Sequence, residues 1–122
     1  MPAALDIARA FEAAWQARDF EKSRTHLADD LVYDDPFGRE TKPQAVIGKY
    51  MGISQVVAGP AQELAAFGDD TTAVIFYELP TSVFGTAVNA NRYIVRDGRI
   101  TEMTVVYDAT AAKAQMQQQQ TG

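Results

Sequence analysis

Asp35 is the side chain of this sequence best placed to move a proton. It ends Leu31-Val32-Tyr33-Asp34-Asp35, which reads as a short strand just before Pro36 and Phe37. Alternation along a strand puts Leu31, Tyr33 and Asp35 on one face and Val32 and Asp34 on the other. Pro36 holds Asp35 extended, because the residue before a proline avoids the helical region. If that face lines the interior, the carboxylate is desolvated, which is how a protein prepares an acid for general-base work. An exposed aspartate in an Asp-Pro turn is the commoner setting of the same pair. A metal at Asp34-Asp35 is rejected, since one strand aims the two carboxylates at opposite faces.

Asn91 is the second candidate. It lies in mid-strand, sharing a face with Ala87, Asn89, Tyr93 and Val95. Asparagine is depleted from strand centres, so an amide there needs a specific partner. Facing inward, it donates a hydrogen bond to a ligand oxygen. Facing outward, it meets water beside Asn89 while Val88, Ala90 and Ile94 pack. Alternation leaves both open. In the last strand Met103, Val105 and Tyr107 share one face, as pocket wall or as plain core, and core is the commoner role. Phe11 and Trp15 on the first helix carry the same ambiguity. His26 is expected at a helix end near Asp29 and Asp30.

Composition limits the chemistry further. The chain has 122 residues, no cysteine and one histidine. Thiol nucleophiles, disulfides and thiolate metal sites are therefore absent, and Ser-His-Asp catalysis and multi-histidine zinc sites gain little support. Eleven basic against sixteen acidic residues give a net charge of −5, which disfavours a phosphate backbone as partner. No apolar run approaches the roughly twenty residues that span a bilayer. Met1-Pro2-Ala3-Ala4-Leu5-Asp6 has neither the basic nor the apolar region of a signal peptide. The expectation is one cytoplasmic domain with no nucleic-acid or membrane partner.

The elements that must position these residues come in a helices-then-strands order. Leu5, Ala8, Phe11 and Trp15 form one stripe of a helix over 3–18. Asp19 caps a second, short helix that turns Phe20, Ser23 and Leu27 inward and ends at Ala28-Asp29-Asp30. Thr41-Lys42-Pro43-Gln44 fits a capping box for a third helix bearing Val46, Ile47, Tyr50 and Met51. From residue 60 the period changes to two, and 61–67, 71–79, 86–96 and 99–108 read as strands. Gly68-Asp69-Asp70 and Asp97-Gly98 are tight hairpin signals. The sum is α+β, an antiparallel sheet with one face covered by helices. Residues 111–122 read as a Gln-rich tail, flexible or weakly helical, without chemistry.

Phe11-Glu12-Ala13-Ala14-Trp15, Arg18-Asp19-Phe20, Leu27-Ala28-Asp29-Asp30 and Tyr33-Asp34-Asp35-Pro36-Phe37-Gly38, in that order, resemble the opening of SnoaL-like proteins. Arg96-Asp97-Gly98-Arg99-Ile100 followed by Tyr107-Asp108 resembles their closing hairpin. That group belongs to the nuclear-transport-factor-2-like superfamily, with ketosteroid isomerases, polyketide cyclases and limonene epoxide hydrolase. The resemblance covers about residues 3–110 and implies a single SnoaL-like domain over 1–110. It implies a curved, mostly antiparallel sheet wrapped by three N-terminal helices into a cone, the cystatin-like α+β barrel. A pocket at the wide end and frequent dimerisation through the outer sheet face come with it.

By the same resemblance Asp35 matches the general-base aspartate of ketosteroid isomerases. Asn91 falls where those enzymes hold the protonated aspartic acid of an oxyanion hole. The family's oxyanion tyrosine aligns with Phe11, which has no hydroxyl, and losing one such donor costs about a hundredfold in rate. The Asp-Arg-Asp set of the epoxide hydrolase has no match around 89–91, where two asparagines stand. The function implied is a cofactor-independent isomerase or cyclase acting on an apolar carbonyl compound. Asp35 and Asn91 would be its catalytic pair, with Phe11, Trp15, Tyr33, Phe37, Met103, Val105 and Tyr107 as pocket walls. A non-catalytic ligand-binding or dimerisation module of the same fold is the alternative.

Overall fold

In a computed structural model the backbone of residues 3–121 forms four helices and six strands. Helix α1 (Ala4–Gln16) buries Ala4, Ile7, Ala8, Phe11, Glu12 and Trp15. The apolar stripe is thus the expected one, with Ile7 inside and Leu5 at its margin. Helix α2 (Phe20–Thr25) starts at the expected cap, where the Asp19 carboxylate accepts from the Lys22 amide at 3.2 Å. It stops at Thr25 rather than continuing through Leu27. Strand β1 (Leu27–Asp35) begins there instead, because Leu27 pairs with Ile100, whose amide donates to the His26 carbonyl at 2.8 Å. Long-range pairing outweighs the local helical preference.

Strand β2 (Gly38–Glu40) folds back on β1 as a hairpin that the sequence pattern did not signal. Gly38 carries a φ of +126°, a conformation that favours glycine. Helix α3 (Pro43–Ser54) has no side-chain cap, so the expected Thr41 capping box does not form. The Glu40 carboxylate takes the Thr41 and Lys42 amides at 2.9 and 3.0 Å instead, and Pro43 occupies the first turn, where its missing N–H costs nothing.

Strands β3 (Gln62–Gly68), β4 (Thr72–Thr81), β5 (Gly85–Arg96) and β6 (Arg99–Val106) follow as an antiparallel meander. Asp97 and Gly98, with φ of +53° and +76°, make the expected tight turn between the last two. The sheet order is β2-β1-β6-β5-β4-β3, six strands rather than four, with β1 running parallel to β6. Register shifts between Leu27 and Val32, Glu63 and Ala65, and Ile94 and Val95 mark irregularities of the kind that bend a sheet. The result is a curved, open α+β sheet of the NTF2-like and cystatin-like kind, with its helices on the concave face.

The inner face carries Leu31 and Tyr33, Ala73, Ile75, Tyr77 and Leu79, Asn89 to Val95 at odd positions, and Ile100, Met103 and Val105. That resolves the parity of β5. Both asparagines face inward, because the outer face is apolar too: Val74, Phe76, Val88 and Val106 are exposed there. Past β6, Thr110–Thr121 forms helix α4, the helical one of the two states expected of the tail. Ala109 is buried at its root, and Ala and Gln are good helix formers. Among the described residues no helix is long and apolar enough to cross a membrane.

Candidate functional site

A cavity of about 380 Å³ opens between α1, α3, the root of α4 and the ends of β1, β4, β5 and β6. That volume suits a small organic molecule. Its floor is aromatic: Trp15 from α1, Tyr33 from β1, Tyr50 from α3 and Tyr77 from β4. Tyr50 ties these rings together, standing 5.0 Å from Trp15 and 6.4 Å from Tyr33. Leu79, Val105, Ile53 and Phe84 add apolar wall, and Ala111 and Ala112 bring α4 to the mouth.

Two carboxylates line this cavity: Asp108, whose Oδ1 accepts from the Thr110 amide and hydroxyl, and Asp35, whose side chain is only 7% exposed. Its Oδ1 accepts the Phe37 amide at 2.8 Å, an interaction favoured by the Asp-Pro turn. Its Oδ2 accepts the Tyr33 hydroxyl at 3.0 Å and the Lys49 ammonium at 3.3 Å. Burial, then the neighbouring Asp35 charge, push the Tyr33 hydroxyl well above the ordinary tyrosine range. The same two causes raise Tyr107 less. Asp34, on the other face, is paired with Arg39 at 2.9 Å. Among the described residues no group of three or more His, Asp or Glu side chains gathers as a metal site requires.

Four expected site residues lie elsewhere. Asn91 is fully buried but does not line the cavity; its amide nitrogen donates to the Tyr93 and Tyr77 hydroxyls at 3.1 and 3.2 Å. Met103 is core for the same reason. Both face inward, but the cavity opens along β5 only from Asn89, in register with Tyr77; Val105, in register with Asn91, lines it from β6, and Met103 lies a row deeper, opposite Tyr93. Alternation gives the face of a strand residue and nothing about its depth along the strand. Phe11 is completely buried, edge-on to Tyr50 at 5.3 Å, a turn below Trp15. Phe37 sits beyond Pro36 on the β1–β2 hairpin, 40% exposed, with the Lys113 ammonium 5.7 Å from its ring. Trp15, Tyr33, Val105 and Tyr107 do line the cavity with Asp35.

The residues that pattern reading passed over form a second polar group. Glu12 is 7% exposed inside the α1 interface, and its carboxylate accepts the Trp15 indole N–H at 3.1 Å. The Asn91 amide nitrogen, 3.5 Å from the same carboxylate, links it to the Tyr77 and Tyr93 hydroxyls at 3.2 and 3.1 Å. Burial raises Glu12 to a pKa of about 7, against the pull of those donors. Burial likewise drives the tyrosines at 50, 77 and 93 upward. The available signal was Glu12 itself, a charge four residues after Ala8 and three before Trp15, within the buried stripe. At the mouth of the cavity Asn89 donates to the Ala87 carbonyl at 3.2 Å. His26 closes α2, its imidazole pKa lowered by burial and then by Lys22.

No protein-family model matches the sequence, and no curated protein does. Solved structures do. A protein from Kribbella flavida is 34% identical over 98% of both chains, with a TM-score of 0.88. An NTF2-like protein of unknown function from Cytophaga hutchinsonii is 14% identical over 93% of this chain and 97% of its own, at 0.74. An LEH-like epoxide hydrolase of M. tuberculosis is 22% identical over 91% and 86%, at 0.73.

Proposed function

We propose that the cavity of this NTF2-like fold takes an apolar small molecule bearing a carbonyl group, whose neighbouring carbon gives up a proton to Asp35. The observation that carries this reading is the buried Asp35 carboxylate set into a wall of aromatic and aliphatic side chains. A carboxylate has about four lone-pair positions. Phe37, Tyr33 and Lys49 occupy three of them, so a position on Oδ1 remains for a substrate proton. Tyr33 and Lys49 also fix the group's orientation, which a base must have before it can act.

Isomerisation by proton transfer and aldol-type cyclisation both start with that step, and neither demands a cofactor. The epoxide hydrolase of similar fold, at 22% identity, agrees with small-molecule chemistry in such a cavity. Ligand binding without turnover is the second reading. It is favoured by the Lys49 ammonium and Tyr33 hydroxyl already lodged on Oδ2. In either case the outer sheet face, with Phe76 and Val106 in register across Ala90, takes a second copy of the chain.

Replacing Asp35 by Asn tests the reading. Turnover of a carbonyl substrate is expected to fall by about a hundredfold to ten-thousandfold, the usual contribution of a positioned base, while binding survives. Full activity in that variant would end the proposal. Binding with no turnover by the parent chain would select the second reading.

A further inference from the structure

We infer that the cavity selects a cation: the carbonyl compound it takes carries a protonated amine, whose ammonium sits beside Asn89 and Asp108 against the aromatic wall. On the carbonyl reading above, on which this rests, the substrate class narrows to amino ketones. Asn89 lines the cavity and is only 5% exposed. Its amide nitrogen must face the Ala87 carbonyl at 3.2 Å, because a carbonyl can only accept. The amide oxygen is thereby held as an acceptor, and no donor among the described residues reaches it. The sealed, unpartnered polar atoms among those residues are His26 Nε2 and Asn91 Oδ1. The Asn89 oxygen is not one of them, so it opens on the cavity and is left for a ligand donor.

Charge narrows the kind of donor. Ala90 pairs with Val106, and the chain leaves the sheet just beyond, so Tyr107 and Asp108 come alongside Asn89. Asp108 Oδ1 accepts the Thr110 hydroxyl at 2.7 Å and its amide at 3.0 Å, which holds the carboxyl below its usual range and ionised near neutrality. Among the described residues its Oδ2 has no donor and no ion pair reaches it. Asp35, the other carboxylate of the cavity, is paired with Lys49. None of the side chains lining the cavity is Lys, Arg or His. Lys49 meets Asp35 from outside the lining, 5.8 Å from the Tyr33 ring centre, and Lys113 stands over Phe37. The Asp108 charge is therefore left unbalanced, in a chain that carries −5 in all.

The rings complete the site. Trp15, Tyr33, Tyr50 and Tyr77 form the floor, and Phe84 and Tyr107 stand with them. An aromatic face carries the negative part of the ring's quadrupole, so it attracts a cation that has left water and a neutral group of the same shape far less. An ammonium also brings the N–H that the Asn89 oxygen lacks and the charge that Asp108 lacks. An anionic ligand would instead meet two carboxylates and no cation in the lining. With the ammonium at Asn89 and Asp108, the other end of the molecule presents its carbonyl to Asp35. Asn89 and Asp108 are then specificity residues, since they hold the ligand's cation and not the carbon that loses its proton.

Isothermal titration of the whole chain with a matched set of para-substituted benzenes tests this. Para-(aminomethyl)acetophenone has the ketone and the ammonium, para-ethylacetophenone the ketone alone, and para-ethylbenzylamine the ammonium alone. The amino ketone is expected to bind about tenfold more tightly than the ethyl ketone of nearly the same shape, the worth of one hydrogen bond to a charged group. Asp108→Asn, which keeps an acceptor for Thr110 but not the charge, should cut that ratio to about threefold, and Asn89→Leu should do likewise. Equal binding of the two ketones by the parent chain would overturn the cationic ligand while leaving the carbonyl reading at Asp35. A ratio unchanged in both variants would overturn the site at Asn89 and Asp108. The amine bound as tightly as the amino ketone would instead remove the carbonyl reading and leave the cation site standing. Failure of all the probes to bind would overturn both.

Discussion

The neighbourhoods of Asp35 and Glu12 answer the same problem, a carboxyl group removed from water, with different partners. Asp35 meets a cation: Lys49 lies 3.3 Å from Oδ2, joined by a hydroxyl and a backbone amide. Glu12 meets only neutral donors, the Trp15 indole at 3.1 Å and, in a long contact of 3.5 Å, the Asn91 amide. Dipoles compensate a buried charge less completely than an opposite charge does. Glu12 consequently holds its proton to about pH 7. One buried acid, at the cavity wall, is thus fixed by an ion pair, and the other, beneath helix α1, has a state that depends on pH.

Next to the loss of turnover expected of Asp35→Asn, the largest effect should come from Trp15→Ala. Trp15 is 1% exposed, stacks obliquely on Tyr50 and donates to Glu12, so its loss opens the core and strips the carboxyl of a donor together. Truncating a buried tryptophan costs about 3–5 kcal/mol, measurable by urea unfolding. A cost under about 1 kcal/mol would mean that the Glu12 side of the cavity is not tightly packed.

Glu12→Gln sharpens the contrast through pH. The folded chain holds the Glu12 proton from its ordinary 4.5 up to about 7, whereas the unfolded chain releases it near 4.5. The folded state therefore binds more protons in that window, and stability falls as pH rises through it. The contribution is fully present below about 4.5 and is lost above about 7, a change of about 3 kcal/mol. Unfolding free energies measured from pH 4 to 8 should fall for the parent chain relative to Glu12→Gln by about that amount. Parallel curves would show that Glu12 ionises alike in the folded and unfolded chains.

The smallest effect on either acid is expected of Phe76→Lys. Phe76 is 41% exposed on the outer face, with the whole sheet between it and the cavity. Sedimentation should show the paired chain dissociating to a monomer, while the Glu12 titration stays where it was. An unchanged mass would remove the outer face as the interface.

Helices, hairpin turns and strand faces were legible in the sequence because each rests on local geometry. The Trp15 and Phe11 stripe, the Asp19 cap and the Asp97-Gly98 turn all depend on neighbours within a few residues. The parallel pairing of β1 with β6 was not legible, since it joins residues about seventy positions apart. It also explains the early end of α2. The Thr41 capping box failed because a competing acceptor, Glu40, stood one residue away.

The site divides along the same line. Residue types and alternation were enough to single out Asp35 and to group Tyr33 with it on one face and Val105 with Tyr107 on another; which faces turn toward the cavity they left open. Asn91 and Met103 share the inward direction but are completely buried, Asn91 in register with Val105 and Met103 a row deeper. Chemistry at a position is written in the side chain, whereas depth, solvent and counter-charge come from chain segments far away in sequence. Glu12 carries the point furthest: its letter says only that an acid stands on a helix, and the absence of a cation among the groups packed around it decides when that acid gives up its proton.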